Sequence, residues 1–297
     1  MKMFDNAEGM VFRPPSEANS FILRVTIGCS HNACTFCSMY KGVRFRIRPL
    51  EEIMQLIKQT ALFHPQLRRV FLADGNALSL PSEQLLTIMS ALHESFPKLT
   101  RITCYGGPKD ILRKTPEELL ALKQAGLQII YLGIESGDDE VLKLVNKGAT
   151  AEEMVQAGRK VVAAGIKLSA MVILGLGGQA LSSQHAVNTG KVVSAINPTM
   201  LSALTLMLHD QTPLRAAAER GEFTPLSPYG FLAELKELLT HTDVTSPCIF
   251  RSNHVSNLLP LAGTLPADKD KLLADVAAVL KSFENRKTPT YNDVGDF

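Results

Sequence analysis

Six short runs rich in branched and aromatic side chains recur between residues 20 and 207: SFILRVTI, RRVFLAD, TRITCYG, LQIIYLGIE, IKLSAMVILGL and TMLSALTLM. They are apolar on both faces instead of alternating, the pattern of strands covered on both sides in a parallel sheet. Parallel neighbours need a crossover, and the intervening segments carry helix signals. Thr115-Pro116-Glu117-Glu118 combines an N-cap, a proline at the first helical position and a capping-box glutamate, and Thr150 to Glu153 repeats the box. Gly126 and Gly165 follow helix ends, where a left-handed cap suits glycine. The alternation predicts an α/β fold, a partial (β/α)6 TIM-like barrel with its chemistry at the C-terminal strand ends. An open doubly wound sheet fits the same alternation.

After residue 207 the pattern changes. LSPYGFLAELKELLTHT and PADKDKLLADVAAVLKSF read as amphipathic helices around an irregular stretch, SPCIFRSNHVSNLLPLAGTLP. The expected division is an N-terminal extension over 1–19, a core over 20–207 and a mainly helical C-terminal extension over 208–297 that covers the substrate side. The tail NRKTPTYNDVGDF is expected to be weakly ordered.

Composition removes several classes. Hydrophobic residues form 45% of the chain, enough for a sizeable core, and 31 basic against 29 acidic residues leave a formal charge of +2. No basic tract marks a nucleic-acid partner. No uninterrupted apolar run approaches the eighteen or so residues of a membrane span, and MKMFDNAEGMVFRPP lacks the features of a signal peptide. A cytoplasmic location and reduced thiols are expected. Three of the five cysteines fall within nine residues, which points to metal binding or catalysis more than to disulfides.

That cluster, GCSHNACTFCSMY, follows the first strand, where a barrel keeps its active site. Cys29, Cys34 and Cys37 are one ligand short of closing a site. With His31 they would make a structural Cys₃His zinc site and the chain a binding module. Alternatively they hold three irons of a [4Fe–4S] cluster and leave the fourth open to a ligand. An open iron beside a sulfonium allows one-electron cleavage of S-adenosylmethionine (SAM).

Cys29-x4-Cys34-Thr35-Phe36-Cys37 resembles the radical SAM superfamily loop, Cys-x3-Cys-x-aromatic-Cys, with one added residue in the first gap. Further segments fall in the family's order over roughly residues 20 to 210, and look most like its coproporphyrinogen dehydrogenase and Elp3-like branch. Ala73-Asp74-Gly75-Asn76-Ala77 stands where a glycine-rich turn meets the methionine amino group. In YLGIESGDDEVLKLVNKG, Glu135 takes the place of the ribose ligand and Lys147 that of the basic residue near the methionine carboxylate. MVILGLGGQ resembles the strand whose glycines, here Gly175 and Gly177, approach the adenine. Two positions depart: Tyr105 replaces a glutamate at the third strand end, and Met171 an acid on the fifth strand. The resemblance implies Cys29, Cys34 and Cys37 as cluster ligands, and Phe36, Gly75, Asn76, Glu135, Lys147 and Gly175 around the cofactors. It also implies a 5′-deoxyadenosyl radical acting on a small-molecule substrate, and an electron donor such as flavodoxin or ferredoxin. An iron–sulfur electron carrier that binds no SAM is the other iron-based reading.

FRSNHVSNLLPL concentrates candidates for the substrate: Arg251, Asn253 and Asn257 for binding and His254 for proton transfer. Cys248 is a candidate hydrogen-atom donor, whereas Cys104 reads as a packed small hydrophobe. Arg44, Arg46 and Arg48 alternate, so an extended chain would place them on one face, toward an anion or toward solvent. The chain shows neither the second cysteine triad and RNA-binding tail of methylthiotransferases nor a cobalamin domain.

Overall fold

A computed structural model describes residues 10–285. The first nine residues and 286–297, which include most of the tail expected to be weakly ordered, lie outside the described residues. All six expected runs are strands. The first is broken into β1 (Phe21–Arg24) and β2 (Thr26–Ile27), and β2 pairs antiparallel with β3 (Arg46–Ile47). The others are β4 (Arg69–Ala73), β5 (Arg101–Tyr105), β6 (Leu127–Glu135), β7 (Lys167–Leu174) and β8 (Met200–Thr205). Helices α1 (Leu50–Phe63), α2 (Ser82–Ser95), α3 (Pro108–Arg113), α4 (Pro116–Gln124), α5 (Asp139–Leu144), α6 (Ala151–Ala163) and α7 (Gly178–Ile196) alternate with them. The fold is α/β, a mostly parallel sheet in the order β1-β4-β5-β6-β7-β8 continued by two C-terminal strands, as in a partial TIM-like barrel.

Two compact units divide the chain. The first comprises residues up to 32, 37–132 and 156–168. In it β1, β4, β5 and the start of β6 pair in parallel, with Phe21 opposite Val70, Val70 opposite Ile102 and Cys104 opposite Ile130. Ile22, Leu23, Val70, Phe71, Ile102 and Ile130 are all fully buried, as near-continuous apolar strands require. The capping box at Thr115 forms in both directions: its hydroxyl accepts from the Glu118 N–H, and the Glu118 carboxylate accepts from the Thr115 N–H. Cys104 is buried on β5, in keeping with a packed hydrophobe, and burial pushes its thiol up to about 12. Arg44 and Arg46 are exposed, as alternation along an extended chain predicts. Arg48 instead turns to Glu52 at 3.3 Å and to the Arg24 carbonyl at 3.3 Å.

The second unit holds residues 33–36, 133–155 and 169 onward. Its helices α8 (Pro213–Glu219), α9 (Pro228–Thr240) and α10 (Lys269–Asn285) bear out the helical reading of the C-terminal part. The stretch between α9 and α10, expected to be irregular, is a hairpin of β9 (Cys248–Ser252) and β10 (Leu261–Leu265). β9 also pairs in parallel with β8 and so lengthens the sheet. The reason is a period-two pattern too short to stand out in sequence: Cys248, Phe250 and Ser252 point inward while Ile249 and Arg251 face out. Among the described residues no helix is long and apolar enough to cross a membrane.

Candidate cofactor site

In the first unit, two strand ends are locked by a buried ion pair. Arg24 closes β1 and Asp74 follows β4, with Nη2 2.6 Å from Oδ2 and side chains 1% and 0% exposed. Nε adds contacts of 3.1 Å to both carboxylate oxygens. Oδ2 also accepts the Gly28 N–H at 3.1 Å, so the pair fixes the residue that opens the cysteine loop. Gly75 donates its N–H to the Gly28 carbonyl at 3.2 Å. A Cβ on Gly75 would lie 2.9 Å from Cys29 Cβ and 3.0 Å from Tyr40 Cε2, which no side chain tolerates without a shift. The glycine is therefore a packing requirement against the first cysteine.

The loop then turns at Asn32, whose φ of 39° lies in the left-handed region that asparagine tolerates. Its amide donates to the carbonyls of Tyr40 at 2.8 Å and Val43 at 3.4 Å. His31 is exposed, on the outside of this turn. Tyr40 is 4% exposed, packs edge-on against Phe12 with ring centroids 5.4 Å apart, and buries a hydroxyl that has no hydrogen-bond partner. Burial first, then the nearby Asp74, Tyr105 and Cys29, hold its proton well above the ordinary phenol range. Asn76, expected at the cofactor, is engaged by protein groups. Its Nδ2 donates to Ser30 Oγ at 2.8 Å and to the Asp110 carboxylate, and its Oδ1 accepts the Gly107 N–H at 3.0 Å. Tyr105 packs edge-on against Phe71 and Tyr131.

In the second unit, Phe36 sits against Val141, Val145 and Leu176, so the aromatic of the Cys-x-aromatic-Cys element is an anchor for its loop. Its neighbour Thr35 donates its N–H to the Val145 carbonyl at 2.9 Å and accepts the Leu214 N–H at 3.0 Å. Thr35 Oγ1 is buried without a partner. Glu135 ends β6 at a φ of 66°, a conformation uncommon outside glycine. Its Oε1 meets Lys147 Nζ at 2.9 Å, each side chain 13% exposed. The two proposed SAM contacts are thus brought together, as an ion pair with each other. The turn after β6 is tied into α7. Ser136 Oγ lies 2.7 Å from His185 Nδ1, the Gly137 N–H donates to Thr189 Oγ1 at 2.8 Å, and Asp138 accepts from Asn188 at 2.7 Å. Burial acts to raise Asp138, but Asn188, Gln184 and the N–H groups of Val141 and Glu140 hold it below the usual carboxylate range.

Gly175 follows β7 at a φ of 81°, where a Cβ would run into the Phe231 ring. Its N–H donates to Glu234 Oε1 at 2.5 Å, and Ser182 Oγ donates to Oε2 at 2.5 Å. Burial raises Glu234 to about 7 against those two donors. Burial lowers His185 to about 4, so the 3.5 Å contact between His185 and Glu234 is not an ion pair at neutral pH. Arg24, Tyr40, Glu234 and His185 were not singled out from sequence, and Asp74 was read only as part of the turn after the second strand run. A lone arginine inside an apolar strand was the available signal for the first.

The hairpin residues scatter. Cys248 is fully buried, its thiol pushed up to about 12, and Asn253 and His254 are exposed. His254 Nδ1 pairs with Ser256 Oγ at 2.9 Å. Arg251 donates to the carbonyls of Phe250 at 2.7 Å and Gly263 at 3.2 Å. Asn257 Nδ2 donates to the Ala203 carbonyl at 3.1 Å and Ser252 Oγ at 2.8 Å, fastening β8 to β9.

The residues present fit an iron–sulfur cluster. Cys29, Cys34 and Cys37 are half-buried thiols within nine residues of sequence, and in the first unit a backbone without Cβ lies against Cys29 and Tyr40 buries a hydroxyl with nothing to bind. Among the described residues no three Cys, His, Asp or Glu side chains gather around a single metal-ion position. A cubane requires none, because each thiolate takes its own iron. A parallel α/β chain with a three-cysteine loop after its first strand defines a barrel-type cofactor protein. The model of the radical SAM superfamily matches residues 23–187, more than half of the chain, and the chain belongs to that superfamily. Its cofactors are accordingly a [4Fe–4S] cluster and SAM.

The chain is 22% identical over 222 residues to the heme chaperone HemW of Bacillus subtilis, covering 71% of this chain and 56% of that one. It spans little more than half of that relative's length. Its fold is similar to coproporphyrinogen III oxidase (HemN) of Escherichia coli, with a TM-score of 0.54, 19% identity, and 74% and 51% of the two chains covered. It is also similar to the radical SAM methyltransferase TsrM of Kitasatospora setae, solved with cobalamin and a [4Fe–4S] cluster, with a TM-score of 0.56, 19% identity, and 74% and 44% covered.

Proposed function

We propose that the chain is a radical SAM enzyme acting on a small-molecule substrate in the cytoplasm, with Cys29, Cys34 and Cys37 as the cluster's protein ligands. The observation that carries this reading is the loop at the β1 end, held by Asp74 through Gly28 and packed through Cys29 on the bare backbone of Gly75. Cys29, Cys34 and Cys37 would hold the cluster with three thiolates, which would leave one iron for SAM. When bound, the two cofactors supply one-electron cleavage of the sulfonium and a 5′-deoxyadenosyl radical that takes hydrogen from the substrate. Lys147 would pair with the SAM carboxylate and Glu135 would accept from ribose hydroxyls, each exchanging its present partner for the ligand. Gly175 and Phe36 shape the apolar side. His254, Arg251, Asn253 and Asn257 are proposed on the substrate side, and Cys248, buried on β9, as a hydrogen-atom donor. A flavodoxin or ferredoxin would deliver the electron.

The test is anaerobic reconstitution followed by dithionite and SAM, with 5′-deoxyadenosine as the readout. We expect product from the wild type and none from Cys34→Ala. An intact, reduced cluster that yields no 5′-deoxyadenosine would overturn the assignment.

A further inference from the structure

Leaving a buried hydroxyl unpaired is costly and rare in native proteins, so each such group asks for an explanation. Tyr40 is such a case: it is 4% exposed and its hydroxyl has no partner. The ring is not free to search for one. Phe12 holds it edge-on, and its own carbonyl accepts from the Asn32 amide at 2.8 Å and from the Val43 N–H at 3.0 Å. The candidate partners within the first unit are few. Asp74 accepts from Arg24 at both oxygens and from the Gly28 N–H at one of them. Asp74, Tyr105 and Cys29 are the near neighbours of the hydroxyl, and Cys29 is the one on the cysteine loop: its Cβ and Tyr40 Cε2 both lie within 3.0 Å of the point that a Gly75 side chain would occupy. Cε2 adjoins the carbon that bears the hydroxyl, so the O–H sits on the Cys29 side of the ring.

We propose that the Tyr40 hydroxyl donates a hydrogen bond to the Cys29 sulfur when that sulfur is an iron ligand, and so sets the potential at which the cluster accepts an electron. A donor to a ligating sulfur withdraws electron density and stabilises the reduced form, which raises the reduction potential. Tyr40 is in this sense a positioning and tuning residue, not a catalytic one. The inference rests on Cys29 holding the cluster, and the experiment separates the two claims.

Wild type, Tyr40→Phe and Tyr40→3-fluorotyrosine proteins are reconstituted anaerobically, assayed for iron and sulfide, and titrated to a midpoint potential with the reduced cluster followed by EPR. Phenylalanine keeps the ring and removes the donor; the fluorinated ring keeps the donor and makes it more acidic. The expected result is full cluster content in all three, a more negative midpoint for Tyr40→Phe and a more positive one for the fluorotyrosine protein. Unmoved midpoints with full clusters would overturn the proposal and leave the ligand assignment standing. A wild type that takes up no cluster would overturn both. Should Tyr40→Phe fail to assemble, the direction of the fluorotyrosine shift decides alone.

Discussion

At the scale of single residues, the decisive positions are those whose neighbours leave no room for alternatives. Asp74→Ala strands the Arg24 guanidinium in a dry interior, and breaking a buried pair in this way typically costs about 3–5 kcal/mol. Chemical denaturation should show that loss, and Arg24→Met combined with Asp74→Leu should recover most of it. Gly75→Ala forces a methyl group against Cys29, so we expect a folded protein with reduced iron content after reconstitution. Iron assay beside circular dichroism checks it; full iron loading would refute it. The cysteines and Phe36 were legible in the sequence because they share one loop and a short spacing. The Arg24–Asp74 pair was not, since its members are fifty residues apart and only strand pairing makes them neighbours. Asn76 was expected at the cofactor, but its amide chemistry is equally suited to Ser30, Asp110 and the Gly107 backbone. Spacing cannot choose between ligand and protein as the partner.

At the scale of elements, the strands and the capped helices were readable because burial on both faces and the Thr115 box are local properties. The β9–β10 hairpin was missed because five-residue strands with polar outward positions look like a loop. The link between α9 and the β7 end also came only from the structure, and it makes a pH prediction. Glu234 is raised to about 7, so its contribution to stability is complete below its unfolded value near 4.5 and is lost as pH rises through 7. His185 is lowered to about 4, so its contribution is present above 6.5 and is lost as pH falls toward 4. Between roughly pH 4.5 and 6.5 the two slopes oppose each other. Glu234→Gln removes one, so the variant's unfolding free energy should climb with pH across that window more steeply than that of the wild type. Denaturant titrations at a series of pH values test this; parallel profiles would refute the assignment.

For the whole molecule, cofactor binding and folding are linked, because a ligand held by the native loop but not by the unfolded chain stabilises by mass action. Removing iron anaerobically with a chelator should lower the melting temperature by several degrees, and reconstitution should restore it. An unchanged transition would mean that the loop is equally stable empty. The same molecule carries a schedule in its connectivity. The turn at Ser136, Gly137 and Asp138 finds its partners in His185, Thr189 and Asn188, some fifty residues further along the chain. Gly137 leaves no gap for water there, since any Cβ would strike the backbone of Asn188 and Thr189. During synthesis at about 5–20 residues per second, that turn must wait several seconds after it emerges from the ribosome before α7 can receive it.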